Sequence, residues 1–157
     1  MSSIVTFLWF DTQAGEAAHF YVDLFDESTQ GSVAHYPANS LGEEGAVMTV
    51  EFSLRGRDFV ALNGGPVYQF SPATSFMVRC ETQAEIDHYW NAFLDGGEAA
   101  QCGWVTDRFG VTWQVVPAHI GDWIGGPDEA GRGRAMQAMM SMVKLDIAEL
   151  QRAYEGV

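Results

Sequence analysis

Gln101-Cys102-Gly103-Trp104-Val105-Thr106-Asp107-Arg108-Phe109-Gly110-Val111-Thr112-Trp113-Gln114 is the run that decides the fold. It reads as a short strand around Cys102 to Val105, a tight turn at Asp107-Arg108-Phe109-Gly110, and a final strand that Pro117 halts. The same order occurs earlier. Ala46 to Leu54 alternates, with Met48, Val50, Phe52 and Leu54 on one side and Val47, Thr49, Glu51 and Ser53 on the other. Arg55-Gly56-Arg57-Asp58 then turns into Phe59-Val60-Ala61-Leu62, and Asn63-Gly64-Gly65-Pro66 ends that hairpin. Lining up the two last strands sets Phe59-Val60-Ala61-Leu62-Asn63 against Gly110-Val111-Thr112-Trp113-Gln114.

A strand and a helix precede each hairpin. Ile4 to Phe10 is β-branched and aromatic; Ala17, Ala18, Tyr21, Leu24 and Phe25 then recur at helical spacing, with Thr12 as the expected cap and Glu16 in the first turn. A weaker strand is expected near Val33 to Tyr36. In the second half Thr74 to Cys80 reads as a strand and Glu81-Thr82 as a helix start. Ile86, Tyr89, Trp90, Phe93 and Leu94 form the apolar face of that helix, which Gly96-Gly97 stops. The expectation is one α+β domain over residues 1–157, built from two βαβββ modules at about 4–65 and about 74–117. A helical extension follows at about 118–155. There Ala130 to Val143 reads as a helix with Met136, Met139, Met140 and Val143 on a stripe, a core face or one docked on another subunit. Asp146, with Glu149 three residues later, has the form of a capping box before Ile147, Leu150 and Tyr154.

Composition narrows the function classes. A chain of 157 residues with 47% apolar and 13% aromatic content can bury a core. Eight Lys plus Arg against 21 Asp plus Glu give a formal charge of −13, which repels phosphate backbones and anionic membranes. No nucleic acid and no membrane are expected as partners. The N-terminal stretch has no basic region or cleavage site, and no apolar run approaches the roughly 20 residues of a membrane span. Two cysteines, Cys80 and Cys102, are too few for a disulfide framework. A cytoplasmic location is expected.

Several segments resemble a known family: Phe7-Leu8-Trp9-Phe10-Asp11, His19-Phe20-Tyr21, Ala61-Leu62-Asn63-Gly64-Gly65, the run from Gln101 to Gln114, and the Met-rich tail. They are similar to the PhnB-like branch of the glyoxalase/vicinal-oxygen-chelate superfamily, often labelled "3-demethylubiquinone-9 3-methyltransferase domain". The resemblance implies paired modules whose curved sheets enclose a cavity, and a homodimer.

The same resemblance places the superfamily's metal-ligand positions near Thr6, Asn63, Ser75 and Gln114. Neutral amide and hydroxyl oxygens give a divalent transition metal no charge compensation, and no ligand type lies within two residues of Thr6 or Ser75. No metal and no other cofactor is therefore expected. Trp9, Asn63, Gln101, Cys102, Trp104, Trp113 and Gln114 are the candidate ligand-binding residues, as aromatics and amides suited to a partly apolar, hydrogen-bonding small molecule. Cys102 has no cation beside it in sequence to activate its thiol. His19, His88 and His119 read as surface or packing residues, and His35 as a candidate intruder into the cavity. Asp107 and Arg108 read as a turn-stabilising ion pair or an anchor for an anion. The Gly-Gly-Pro stretch lacks the following helix of a nucleotide-type methyl-donor loop, so methyl transfer is not expected. Three readings stay open: a metal-independent binder or enzyme, a metal-dependent lyase, isomerase or dioxygenase, and a non-catalytic dimeric sequestration protein.

Overall fold

The computed structural model describes residues 4–157, and the chain divides into two compact units, one ending at Phe70 and the other running from Ser71 to Val157. The first unit holds β1 (Thr6–Phe10), α1 (Ala14–Leu24), β2 (Ser28–His35), β3 (Val47–Leu54) and β4 (Arg57–Asn63), in sheet order β1-β4-β3-β2. The second holds β5 (Phe76–Cys80), α2 (Gln83–Leu94), β6 (Glu98–Ala99), β7 (Trp104–Thr106) and β8 (Thr112–Pro117), in order β5-β8-β7-β6. Each is a βαβββ module whose first strand lies at a sheet edge and pairs parallel with the last. The second unit continues into α3 (Ile120–Ile124), α4 (Glu129–Ser141) and α5 (Ile147–Glu155).

Strand alternation sorts the side chains of the first sheet onto two faces. Leu8 and Phe10 of β1, Val50, Phe52 and Leu54 of β3, and Phe59 and Ala61 of β4 are buried. They meet α1, where Tyr21 stacks on Phe52 at 6.2 Å and Phe52 stacks on Phe59 at 5.1 Å. The hairpin between β3 and β4 closes over Arg55 (φ 47°) and Gly56 (φ 79°). Two successive left-handed residues suit the right-handed twist of the strands that they join.

The expected cap of α1 is corrected. Gln13 occupies the cap position with no side-chain bond, and the first helical N–H, that of Ala14, donates to Asn63 Oδ1 at 2.8 Å. The cap comes from the end of β4, not from Thr12. In the second unit the expected start holds: Thr82 Oγ1 accepts from the Glu85 N–H at 3.2 Å, and Glu85 Oε2 accepts from the Glu81 N–H at 2.7 Å. Ile86, Tyr89, Trp90 and Phe93 of α2 are buried, and Phe93 stacks on Trp113 with centroids 4.5 Å apart.

The pairing registers also correct the internal alignment. Phe10 lies opposite Asn63 in one module and Cys80 opposite Pro117 in the other. The Gly64 N–H donates to the Phe10 carbonyl as the Ala118 N–H does to that of Cys80. Phe59 therefore corresponds to Trp113 and Val60 to Gln114, three residues away from the alignment read in sequence. The cause is turn length: two residues separate the paired Leu54 and Arg57, whereas five separate the paired Thr106 and Thr112.

In the tail, Asp128 Oδ1 caps α4 through Ala130 N–H and Asp146 Oδ1 caps α5 through Glu149 N–H. The methionine stripe splits. Met139 and Met142 pack with Val116, Leu145 and Leu150, while Met136 and Met140 stay exposed.

Candidate functional site

Each sheet turns one face to its helix and leaves the other free of it, and the candidate residues divide between these faces. On β1 the burial of Leu8 and Phe10 puts Thr6 on the helix side by alternation, while Val5, Phe7 and Trp9 point the other way. Phe7 is 61% and Val5 40% exposed, unusual for large apolar side chains. They line a groove of about 700 Å³ together with Glu51, Ser53, Asp58 and Val60. Sequence reasoning missed this groove, although the alternation of β1 and β3 contains it.

The second sheet has its counterpart. Gln114 Nε2 donates to Ser75 Oγ at 2.8 Å. Gln114 is paired across the ladder with both Met77 and Trp104, so all three side chains share a face. Thr112 and Thr106 follow on that face, their hydroxyls 3.3 Å apart. Around Gln114 this surface is hydrogen-bonding, with an exposed thioether and a half-buried indole beside it, and the exposed Arg79 and Glu98 lie further along the same face. Gln114 and Trp104 are thus brought together; the other candidates are placed elsewhere.

Trp113 lies on the opposite face, 3% exposed beneath α2, and its Nε1 donates to Asp107 Oδ2 at 2.8 Å. It is a core side chain. Asn63 has both ends of its amide engaged, Oδ1 by Ala14 and Nδ2 by the Val47 carbonyl at 3.1 Å; it organises the strand end. Trp9 donates Nε1 to the Gly65 carbonyl at 2.9 Å and meets Tyr68 edge-on at 5.0 Å. Gln101, exposed, and Cys102, in a left-handed conformation (φ 60°), form a turn strapped to the tail. There the N–H groups of Cys102 and Gly103 donate to the Met142 and Val143 carbonyls at 2.9 and 2.8 Å.

Asp107 stabilises the turn from a buried position. Its carboxylate is buried, and Oδ1 accepts from the Phe109 and Val111 N–H groups at 2.9 and 3.0 Å. The Arg108 guanidinium lies over the Phe109 ring at 5.0 Å. His35 is exposed at the end of the edge strand β2, and His19 pairs with Asp23 at 3.2 Å on the surface of α1. His119 lies between Glu81 and Asp122, at 3.4 and 3.5 Å, and is exposed. The Lys144 ammonium, then the Gln83 amide, holds the Asp87 carboxyl below the ordinary carboxylate range.

The donor set does not fit a divalent metal. Among the described residues no three His, Cys, Asp or Glu side chains are grouped to hold one. By pairing register the equivalents of Ser75 and Gln114 in the first unit are Val5 and Val60, which carry no donor at all. The segment after Asn63-Gly64-Gly65-Pro66 runs through turns to β5 without a helix.

The sequence profile of the 3-demethylubiquinone-9 3-methyltransferase family matches residues 2–116 of the chain. The PhnB protein of Bacillus cereus is 34% identical, with a TM-score of 0.67 over 73% of this chain and 99% of its own. The chain belongs to the PhnB-like family. Its fold is shared by a protein of Pseudomonas aeruginosa, 20% identical with a TM-score of 0.62 over 74% of this chain and 98% of that one. An Arabidopsis thaliana gene product, 21% identical with a TM-score of 0.50, covers 73% and 98%. No curated protein matches the chain. The PhnB-like match ends at Val116, so the tail helices lie beyond the family's shared segment.

Proposed function

We propose that this PhnB-like protein binds a small, partly apolar organic molecule on the sheet faces turned away from α1 and α2, and does so without a catalytic metal. The observation that carries this reading is the groove of about 700 Å³ in the first unit, with Phe7 and Val5 left exposed in it. A cavity in this range suits a small-molecule ligand, and exposed aromatic surface there gains by being covered. In the second unit, the face around Gln114, Ser75 and Trp104 offers hydrogen-bonding groups of its own. Neutral and hydrocarbon side chains at the superfamily's ligand positions support the metal-independent part. The turn after Pro66 gives no support to methyl transfer, despite the family's description.

The reading includes a homodimer, supported by apolar side chains left exposed on the tail, Met136, Met140 and Val143. It also includes the cytoplasm, supported by Cys80 and Cys102 lying outside any disulfide. The test pairs elemental analysis of the purified protein with a calorimetric screen of a metabolite panel. Expected are no stoichiometric zinc, nickel, manganese or iron, and at least one organic ligand whose affinity falls in Phe7→Ser or Gln114→Leu. A stoichiometric metal, or a panel with no ligand, overturns the proposal.

A further inference from the structure

The groove of the first unit has a charge pattern that selects among organic ligands. Glu51 of β3 and Asp58 of β4 both line it, and no Lys, Arg or His does so among the described residues. In the ladder Glu51 lies opposite Val60 and Asp58 opposite Ser53. The two acidic residues are therefore diagonal neighbours on one face, with Cα atoms about 7–8 Å apart. That spacing lets both carboxylates reach a single head group. Neither side chain makes an ion pair or a hydrogen bond among the described residues.

Beside this pair lie Val5, Phe7 and Val60, an apolar floor with an exposed aromatic ring. Carboxylates next to bare hydrocarbon and a π-face are complementary to a cation carried on an apolar body. The ammonium meets the carboxylates and the quadrupole of the ring, and the body covers the valines. A carboxylate- or phosphate-bearing ligand would meet like charge in the same place. The whole chain reinforces the choice, since a net charge of −13 concentrates cations and repels anions over its surface.

We infer that the groove formed by Val5, Phe7, Glu51, Asp58 and Val60 takes an organic cation with an apolar body, such as an aryl-alkyl amine. This rests on the proposed small-molecule function and names the ligand class of that site. Three probes share one apolar body and differ in head group: 4-phenylbutylamine, 4-phenylbutanol and 4-phenylbutyrate. Titration at pH 7 is followed by amide chemical shifts of the full chain. The amine is expected to bind about tenfold more tightly than the alcohol, with 4-phenylbutyrate weakest, from two partly screened carboxylates and one ring. Shifts should localise to β1, β3 and β4, and the preference should shrink as salt is raised. In Glu51→Gln/Asp58→Asn, whose changes lie at accessible positions, the amine should fall to within about twofold of the alcohol.

Equal binding of all three probes, or an unchanged preference in the double variant, overturns the cation and leaves the small-molecule reading standing. No binding by any probe, alongside a metabolite panel with no ligand, overturns both. Shifts of the groove amides that depend on protein concentration without any probe would place a second copy on this face and overturn the inference as well.

Discussion

Replacing Asp107 by asparagine tests how the second sheet is fastened to its helix. The Asp107 carboxylate is 3% exposed and takes three N–H groups, from Phe109, Val111 and the Trp113 indole, at 2.9, 3.0 and 2.8 Å. One side chain thus shapes the β7–β8 turn and aims the ring that stacks on Phe93 at an interplanar angle of 10°. Asparagine keeps the shape, and its carbonyl oxygen can still face the two backbone donors. Its NH2 then meets the indole N–H, donor against donor. Losing one charge-assisted bond and orphaning a buried indole N–H costs about 3 kcal/mol.

Alanine orphans all three donors and costs about 5 kcal/mol, near the low end of a domain's whole stability. Trp113→Phe in the Asp107→Asn background removes the opposing donor. The double variant should therefore be less destabilised than the sum of the singles by about 1–2 kcal/mol. Urea unfolding followed by far-UV circular dichroism reads all four species without relying on the altered indole. A cost for Asp107→Asn below about 0.5 kcal/mol, or a strictly additive cycle, would refute the reasoning.

Other consequences follow from the same geometry. Asn63→Ala removes the acceptor of the Ala14 N–H and the donor to Val47, and should cost about 1–2 kcal/mol in urea unfolding, with Asn63→Asp intermediate because it keeps the cap. Gly97→Ala should prevent stable folding, since its Cβ would overlap the carbonyls of Phe93 and Thr106, which cannot swing aside. Gly133→Ala, inside α4 where a Cβ meets nothing within 4 Å, should raise stability by about 0.5–1 kcal/mol in the same urea unfolding. Asp87 ionises more readily folded than unfolded, so its pairing with Lys144 stabilises the protein above the unfolded carboxyl's titration and is lost as pH falls through the lowered folded value. Hydrogen exchange of the 142–147 segment should accelerate in that acid window and, in Asp87→Asn, lose this pH dependence.

Much of the fold was legible because its turns and faces are local signals. Alternation from Met48 to Leu54 and the glycines Gly56 and Gly110 mark the hairpins, and Thr82 marks a helix start, all within a few residues of the feature they determine. What was not legible depends on partners far along the chain. The cap of α1 comes from Asn63, 49 residues from the N–H it satisfies. Strand β2 runs the full length of Ser28–His35 although polar, because as an edge strand it is held by backbone pairing to β3 with both faces wet. Helix α3, at five residues, is too short to show a period. Trp113 has the composition of a pocket residue, and only the register that puts it under Phe93 shows it to be core.

That register also changes what the duplication means chemically. Read three residues out of step, Asn63 and Gln114 are matching amides, and the two modules present similar chemistry. In the observed pairing Gln114 matches Val60 and Ser75 matches Val5, so the modules have diverged at positions that correspond in the two sheets. One face is an amide and a hydroxyl bonded to each other; the other is hydrocarbon flanked by two carboxylates. A valine has no lone pair to give a metal, so the donor argument no longer depends on how Asn63 is aligned. The same divergence makes the faces separable by mutation. Gln114→Leu should weaken a ligand of the second unit's face by an amount insensitive to salt, and Glu51→Gln/Asp58→Asn a ligand of the first unit's groove by an amount that salt already reduces.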